Sequence, residues 1–398
     1  MRPRTVLFLE QQGEWGGAQR ILADVLALSR EAGFRCAVAV QGSGPFREAL
    51  RRAGYPAIDL PLGTYPGGHK SLRDELRFLL RSAWSTLVLV LLIVRHRADL
   101  LYANGPRTLP CGIAAGRLTG RPVIWHLHNV LPDGKERRLA AMLTRWVDHV
   151  IACSRSAAAR LVVDRPALQA KCSVIYAPLP KWESSEPPAA ADDRNLVPQR
   201  PLTFGILGRV TPFKGQEEFV EAAIGVLQQT DQARFLVVGN PAHGDRSDRD
   251  YLCRIAKRVR DLGFTEQITF LEFQPDVETC YSLIDVVVCA SQGSEGLPCV
   301  LIEAMVLGKA VIGPALGGVA ELVDHLRTGI LVERASPRNL CEAMMALRRN
   351  PELRRSLGRS ARLEVLSRFS RTRFQQEIAG ILGSFLAAEQ SGSRRQLA

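Results

Sequence analysis

The 398-residue chain lacks several features that mark specialised classes of protein. Its nine cysteines are dispersed, and no two of them form a Cys-x-x-Cys pair. This pattern is typical of reduced, buried thiols and indicates neither a disulfide framework nor a zinc site. The first apolar segment, residues 5–9, is too short for a secretory signal. The sequence therefore predicts a cytoplasmic protein.

Long uninterrupted apolar runs are also missing. In the most hydrophobic stretch, residues 76–95, only residues 87–94 are continuously apolar, whereas a membrane-spanning helix needs about twenty such residues. Two interpretations remain: a helix buried between the sheet and its neighbours, or a helix lying on the inner face of a membrane with Trp84 at the interface. The second would turn three arginines toward anionic headgroups: Arg73, Arg77 and Arg81.

The net charge of +12 favours contact with an anionic surface. Nucleic acid would be attracted by the same charge, but the chain has no basic groove with interleaved aromatic residues. The charge therefore favours peripheral membrane contact through residues 76–95, and no nucleic-acid partner is predicted.

Apolar segments of strand length alternate with helical patterns in both halves of the chain. The strand candidates are residues 5–9, 36–40, 100–103, 123–127 and 150–152, and then 204–207, 235–238, 268–271, 286–289 and 310–312. Helical patterns begin near Gly17, Pro45, Leu72, Thr108 and Ser154, and the sequence after Pro337 is helical in character. This alternation predicts an α/β protein with parallel sheets.

A polar, proline-rich stretch separates the two alternations. With 46% hydrophobic and 23% charged residues, the chain has the composition of globular domains, and its length suits two of them. The sequence predicts an N-terminal domain over residues 1–180, a linker over 181–200 and a second domain over 201–368. Residues 389–398 are predicted to be a frayed polar tail.

Two glutamates, Glu295 and Glu303, stand eight positions apart around a predicted helix start. Gly296 and Leu297 offer backbone N–H groups, and Pro298 suits the first helical position, so this segment is predicted to bind phosphate. On a continuous helix the carboxylates would lie roughly 12 Å apart, the length of a nucleotide sugar. The alternative is a solvated helix start with Glu303 on the surface.

A basic turn follows the strand candidate at residues 204–207. Arg209 and Lys214 flank this turn, and two cations at the end of a parallel strand can bind the oxygens of a diphosphate. The turn lacks the third glycine of a dinucleotide fingerprint, so a nicotinamide enzyme is not predicted. Further along, Gly317 and Gly318 precede a short helix, where the backbone can approach a ligand closely.

No metal site is predicted. Asp248 and Asp250 have the acidic spacing of a metal site, but they stand in a charged loop with no strand leading into it, which indicates solvent-exposed charge. His126 and His128 would project to one face of a strand, but no third ligand cluster lies near them in the sequence.

Together these segments resemble the retaining glycosyltransferases of the family-four type, whose architecture is called GT-B. The resemblance covers nearly the whole chain. The motifs that carry it are Gly16-Gly17-Ala18-Gln19-Arg20, Trp125-His126-Leu127-His128-Asn129, the turn from Gly208 to Gly215, the segment from Glu295 to Glu303, and Gly317-Gly318 through Gly329. It implies two Rossmann-like α/β/α domains facing a cleft, with a last helix, residues 369–388, that crosses back to the first domain.

The resemblance also implies a role for each candidate residue of the second domain. Glu303 would hold the ribose of a nucleotide-sugar donor, and Arg209 and Lys214 would hold its diphosphate. Glu295 and the amides at 296–297 would meet the transferred sugar. In the family a proline commonly precedes the serine of the loop before these glutamates, which here reads Cys-Ala-Ser-Gln-Gly-Ser over residues 289–294, so the sugar pocket is predicted to differ in shape.

In the first domain, the resemblance implies that Gly16 and Gly17 close over the phosphates and that His128 lies beside the reacting sugar, with His126 as the alternative. The implied activity is transfer of a sugar from a nucleoside diphosphate sugar to a hydroxyl group, with retention at the anomeric carbon and without a metal or other cofactor. The apolar stretch at 76–95 suggests a lipid-linked or cell-surface saccharide as acceptor. The alternatives are an epimerase or phosphorylase on the same scaffold, or a non-catalytic scaffold that binds nucleotide or membrane.

Overall fold

The computed structural model describes residues 2–63, 71–163, 165–180, 201–241, 246–272 and 277–388. Contacts within the chain divide it into two compact units. The first unit comprises Met1–Ala177 and Arg371–Ala398, and the second comprises Pro178–Ser370. The predicted linker at 181–200 and the predicted tail at 389–398 lie outside the described residues.

The first unit is built on a seven-stranded sheet in which all pairs are parallel. Its strands are β1 (Thr5–Glu10), β2 (Arg35–Val40), β3 (Ala57–Asp59), β4 (Leu100–Asn104), β5 (Val123–Leu127), β6 (His149–Ala152) and β7 (Cys172–Val174). Their order is β3-β2-β1-β4-β5-β6-β7. This is the doubly wound order, whose direction reverses between β1 and β4.

Helices connect these strands. They are α1 (Gly17–Glu31), α2 (Pro45–Arg52), α3 (Leu72–His96), α4 (Leu109–Thr119), α5 (Lys135–Leu143), α6 (Arg155–Val162) and α7 (Pro166–Gln169). Every residue of β1, β4 and β5 is buried. Central strands covered on both faces need apolar side chains on both faces, which is why these strands are mostly apolar in the sequence.

The second unit repeats this topology with six parallel strands. They are β8 (Leu202–Leu207), β9 (Ala233–Val238), β10 (Ile268–Leu271), β11 (Val286–Val288), β12 (Ala310–Pro314) and β13 (Ile330–Val332), in the order β10-β9-β8-β11-β12-β13. The helices are α8 (Gln216–Leu227), α9 (Arg246–Asp261), α10 (Val277–Ser282), α11 (Cys299–Val306), α12 (Gly317–Leu322), α13 (Pro337–Arg349) and α14 (Pro351–Arg368). The strand order reverses between β8 and β11, which are paired through Phe204 and Val286.

The last helix, α15 (Arg371–Ala388), belongs to the first unit. It packs on α1, where the Arg371 guanidinium is 2.8 Å from the Asp24 carboxylate. Phe374, Ile378 and Leu382 of α15 are buried. The chain thus returns to its first unit, as the resemblance implies.

One face of α3 packs on the domain and the other is open to solvent. Ser85, Leu89 and Ile93 are buried, and the helix contacts α4. The opposite face is apolar, and its eight large side chains are each 56–83% exposed: Leu72, Leu76, Leu79, Leu80, Trp84, Leu87, Leu91 and Val94. At 100° per residue these positions span about 140° of the helix, a continuous stripe that we call the apolar face of α3. The interpretation of this segment as a fully buried helix is therefore wrong.

By length and composition α3 could cross a membrane, since 18 of its residues have a mean hydropathy of 1.8. One face of α3 packs on its own unit, however, so lipid would not surround the helix on all sides. Arg73 and Arg77 are exposed beside the apolar face. Arg81 departs from the prediction, because its guanidinium lies against Gly63.

For the acidic pair near residue 250, the predicted loop is wrong and so is the predicted exposure of Asp248, whereas Asp250 is exposed as predicted. Asp248 and Asp250 lie in the first turns of α9, and Asp248 is buried. The pattern was mistaken for a loop because charged residues occupy the N-terminal turns of this helix, where acidic side chains are favourable.

Candidate functional site

The candidate site of the second unit lies at the switch point of its sheet. The turn after β8 carries Arg209 and Lys214, and the loop after β11 carries Glu295. Because β8 and β11 are neighbouring parallel strands, their carboxyl ends open at the same edge. The topology therefore brings together residues that are about eighty positions apart in the sequence.

Gly215 allows these two segments to meet. It has a φ of +73°, and a Cβ at this position would lie 1.9 Å from the carbonyl oxygen of Ala290. Only glycine fits both the backbone conformation and this close approach. A backbone hydrogen bond of 2.8 Å from Gln292 N to Phe213 O fixes the same contact.

Lys214 and Glu295 form an ion pair across this contact. Lys214 Nζ lies 2.5 Å from Glu295 Oε1, and their side chains are 30% and 12% exposed. Ser291 Oγ donates to the same carboxylate oxygen over 2.5 Å. Burial is the largest single influence and lowers the pKa of Lys214, but the charge and hydrogen bond of Glu295, together with Cys289 and Cys299, outweigh it and raise that pKa above its usual value. The sequence predicted both residues for the site but did not predict that they bond to each other.

The segment after Glu295 is held from its other side by the two glycines before α12. Gly318 N donates to Glu295 O over 2.9 Å, and a Cβ on Gly318 would lie 1.9 Å from Gly296 O. The expected close approach of Gly317 and Gly318 is therefore to the protein's own backbone. In the part of the chain that the structure describes, the N–H groups of Gly296 and Leu297 have no hydrogen-bond partner.

The helix in this segment begins later than was assumed in the estimate of about 12 Å between the two carboxylates. α11 begins at Cys299, with Pro298 as its N-cap residue, so Glu295 lies in the loop before the helix. Glu303 lies inside α11 and is only 6% exposed, which rules out the surface interpretation. Tyr281 OH donates to Glu303 Oε2 over 2.7 Å and fixes the orientation of the carboxylate.

Arg209 is exposed, unlike Lys214. Its carbonyl oxygen accepts a hydrogen bond of 2.9 Å from Gln216 Nε2, so its backbone is fixed while its side chain stays at the surface. Among the described residues, no group of three or more His, Cys, Asp or Glu side chains could hold a metal ion. Arg209 and Lys214, on the turn after β8, are cationic groups of this site.

In the first unit, Gly16 and Gly17 lie at the N-terminus of α1, with Gly16 as the N-cap residue. The first turn of α1 also carries Gln19, which is buried and donates from Nε2 to Glu10 Oε1 over 2.9 Å. Glu10 ends β1 and is fully buried. Burial raises its pKa from 4.5 to about 7, although hydrogen bonds from Asn104 and Gln19 lower it.

His128 lies just past the end of β5, and His126 lies inside that strand. His128 Nε2 is 2.6 Å from Asn104 Oδ1, whereas His126 Nδ1 is 2.6 Å from Tyr102 OH. The two imidazole rings are 3.9 Å apart between centroids. Burial lowers the pKa of His128 to about 3, so its ring is neutral at physiological pH. His126 is hydrogen-bonded within the core, whereas His128 lies at the carboxyl end of β5.

Sequence reasoning missed four residues that the structure places in these clusters: Glu10, Asn104, Tyr281 and Ser291. Two of them carried a signal, because a glutamate and an asparagine end the apolar runs that became β1 and β4. Polar residues at the carboxyl ends of adjacent parallel strands are typical of a ligand site. Tyr281 had no comparable signal, since a tyrosine in a helix is most often a packing residue.

Two family models match the chain. The model described as Glycosyltransferase Family 4 matches residues 15–179, and the model described as Glycosyl transferases group 1 matches residues 190–364.

Individual relatives agree with these models. The putative glycosyltransferase YtcC of Bacillus subtilis is 29% identical over 182 residues, which cover 45% of this chain and 44% of YtcC. The lipopolysaccharide core biosynthesis mannosyltransferase LpcC of Rhizobium leguminosarum is 27% identical over 304 residues, which cover 75% of this chain and 81% of LpcC. The chain spans about half the length of several curated relatives that it matches.

Among solved structures, Anabaena Alr3699/HepE in complex with UDP is similar with a TM-score of 0.79 and 25% identity. The match covers 96% of this chain and 100% of the Anabaena chain.

Proposed function

Because this chain belongs to the family-four, group 1 glycosyltransferases and has the GT-B fold, we propose that it transfers a sugar from a nucleoside diphosphate sugar to a hydroxyl group, with retention at the anomeric carbon. The observation that carries this proposal is the Lys214–Glu295 pair beside the N–H groups of Gly296 and Leu297, at the switch point of the second unit.

The proposed catalysis is electrostatic. As the bond between sugar and phosphate breaks, negative charge grows on the departing diphosphate. The Lys214 ammonium, the Arg209 guanidinium and the N–H groups at 296–297 supply positive charge and donors at the start of α11, where a helix terminus adds to the effect. We propose that these groups suffice without a metal ion or other cofactor.

Glu303 is proposed to accept hydrogen bonds from the donor ribose. Its carboxylate is buried and oriented by Tyr281, and a carboxylate can accept from both hydroxyl groups of a ribose. Glu295 and the N–H groups beside it are proposed to contact the transferred sugar. The remaining proposed roles are assigned to residues of the first unit: Gly16 and Gly17 at the phosphates and His128 at the sugar.

A thermal-shift screen with UDP, GDP, ADP and TDP tests the donor site. A ligand at a hundred times its dissociation constant adds about 2.7 kcal/mol of stability, which raises the melting temperature measurably. UDP is the first candidate, because the similar Anabaena structure is a complex with UDP. The Glu303→Gln variant should lose the shift, whereas Glu342→Gln, on the exposed surface of α13, should keep it. Absence of a shift with every nucleotide would contradict the proposal.

We further propose that the acceptor is a lipid-linked saccharide and that the enzyme works at the inner face of a membrane. The apolar face of α3 supports this, because leucines and a tryptophan exposed along a whole helix fit the interfacial region of a bilayer. Arg73 and Arg77 beside that face match anionic headgroups.

Flotation with vesicles that contain anionic lipid tests the membrane proposal. Each arginine near an anionic surface contributes about 1 kcal/mol, so Arg73→Ser with Arg77→Ser should weaken binding about thirtyfold. The matched control replaces Arg52 and Arg338, two exposed arginines of α2 and α13, by serine and should bind normally. Equal flotation of both double variants would argue against the proposed surface.

A further inference from the structure

A series of hydrogen-bonded side chains runs along the carboxyl edge of the first unit's sheet. Glu10 ends β1 and is the register partner of Asn104, which ends β4. Asn104 Nδ2 donates to Glu10 Oε2 over 2.5 Å, and His128 Nε2 lies 2.6 Å from Asn104 Oδ1. Glu10 and Asn104 are completely buried. In a connected buried network, each hydrogen bond constrains the direction of the next.

Glu10 sets this direction, because an ionised carboxylate only accepts hydrogen bonds. Its Oε1 accepts from Gln19 Nε2 at 2.9 Å and from Gln12 N at 3.1 Å, while Oε2 accepts from Asn104. The NH₂ group of Asn104 must therefore point to Glu10, and its Oδ1 must point to His128. Since Oδ1 has no hydrogen to donate, the proton between the two residues belongs to Nε2 of the imidazole.

His128 is thereby restricted to one tautomer. Burial keeps its ring neutral, with a pKa of about 3, so the ring carries a single proton. With that proton on Nε2, the other nitrogen, Nδ1, has a free lone pair and is an acceptor. Nδ1 is buried and has no hydrogen-bond partner among the residues described. Because an unpaired buried acceptor is unfavourable, a hydroxyl donor supplied by a ligand would be a favourable partner.

We propose that Glu10 and Asn104 are positioning residues: they hold His128 in the Nε2–H tautomer, so that its Nδ1 accepts a hydrogen bond from a hydroxyl group of the substrate. This inference rests on the proposed function, since it takes the substrate of that reaction as the donor. Neither residue contacts the sugar, and each acts through His128. The hydrogen bond from Gln19 links the same network to the first turn of α1, next to Gly16 and Gly17.

The tautomer can be measured in the wild-type protein without any substrate. Histidine labelled with nitrogen-15 gives two-bond correlation spectra in which protonated and bare ring nitrogens are distinguished, and His128→Phe assigns the signal. The pH should be well above 7, because burial raises the pKa of Glu10 to about 7 and the carboxylate must be ionised. We expect His128 to carry its proton on Nε2. A proton on Nδ1 would overturn the proposal.

Glu10→Gln should reverse the direction of the network. The glutamine NH₂ group would donate to Asn104 Oδ1, the asparagine amide would turn its NH₂ group to His128, and the imidazole proton would move to Nδ1. We expect kcat to fall about tenfold to a hundredfold, with a smaller change in KM for the donor. The matched control Glu31→Gln removes the same charge at the exposed end of α1 and should change neither the tautomer nor the rate.

The double variant Glu10→Gln/Asn104→Asp should restore the original direction, because the glutamine donates to the new carboxylate and that carboxylate accepts from Nε2–H. We expect the tautomer to return to Nε2–H and kcat to recover at least partly. A folded Glu10→Gln protein that keeps Nε2–H, or a double variant that keeps Nδ1–H, would refute the positioning role. If Glu10→Gln does not fold, the wild-type and double-variant spectra still decide. The spectra involve no sugar, so they remain informative even if the transfer activity is not found.

Discussion

Lys214→Met removes one charge from the candidate donor site while keeping most of the side-chain volume. Lys214 Nζ lies 2.5 Å from Glu295 Oε1, and the two side chains are 30% and 12% exposed. A hydrogen bond to a charged group contributes about 1.5–3 kcal/mol when it is shielded from water, and solvent screening at the lysine reduces this to about 1 kcal/mol. The melting temperature should therefore fall by only about 2–4 °C.

The effect of Lys214→Met on catalysis should be much larger than its effect on stability. If the ammonium stabilises the departing diphosphate, its loss costs about 3 kcal/mol of barrier, which lowers kcat roughly a hundredfold. Initial rates of product formation at saturating donor measure this effect, and calorimetry with the nucleotide measures binding separately. A small loss of stability with a large loss of rate is the expected combination.

Lys257→Met is the matched control, because Lys257 forms a similar pair with Asp261 over 2.6 Å on the exposed surface of α9. This variant should have nearly unchanged stability and rate, since exposed pairs contribute little. The reasoning would be refuted by a folded Lys214→Met protein that retains most of its activity. It would also be refuted by equal losses of activity in the two variants.

Three further predictions concern the glycine contact, the ribose site and the dependence of stability on pH. Gly215→Ala would place its Cβ 1.9 Å from the carbonyl oxygen of Ala290, so it should cost several kcal/mol in urea denaturation and abolish transfer, and a stable, active variant would contradict the close approach. Glu303→Gln should weaken nucleotide binding in calorimetry by about tenfold or more, with a smaller effect on the rate of transfer from the bound complex. An unchanged affinity would remove Glu303 from the ribose site. Burial raises the pKa of Glu10 from 4.5 to about 7, so the folded state binds this proton more tightly than the unfolded chain does. The Glu10 contribution to the free energy of unfolding is therefore fully present below pH 4.5 and falls by about 3 kcal/mol as pH rises through 7. Burial lowers the pKa of His128 from 6.5 to about 3, so its contribution has the opposite sign and is lost as pH falls through that range. In urea denaturation at a series of pH values, Glu10→Gln should no longer lose stability as pH rises through 7 but should still lose stability at low pH. An unchanged dependence of stability on pH would contradict the raised pKa of Glu10.

The central strands could be predicted from the sequence because they are buried on both faces and are therefore mostly apolar. The predictions at 204–207 and 310–312 correspond to β8 and β12 within two residues at each end. The three strands that were missed, β3, β7 and β13, are three residues long and lie at the edges of the two sheets. Such strands have too few buried positions to produce a pattern, and their pairing depends on neighbours that the local sequence does not specify.

The contacts within the candidate site could be predicted less well than its members. Glu10 and Asn104 are far apart in the sequence, and only the pairing of β1 with β4 brings them together. In the same way, the pairing of β8 with β11 brings Lys214 to Glu295. The local sequence shows that a polar residue ends a strand, whereas its partner depends on the order of the strands.

The apolar face of α3 links two practical properties of this protein. In water without lipid, a stripe of exposed leucines around Trp84 favours association between copies of the chain. Polar substitutions on this stripe would improve solubility, but they would also remove the surface that we propose for the membrane. A preparation that keeps the natural helix and shields it with detergent or lipid would preserve both the solubility and the proposed membrane surface. The extent to which copies of the chain associate without detergent would indicate how strongly the apolar face of α3 binds an apolar partner.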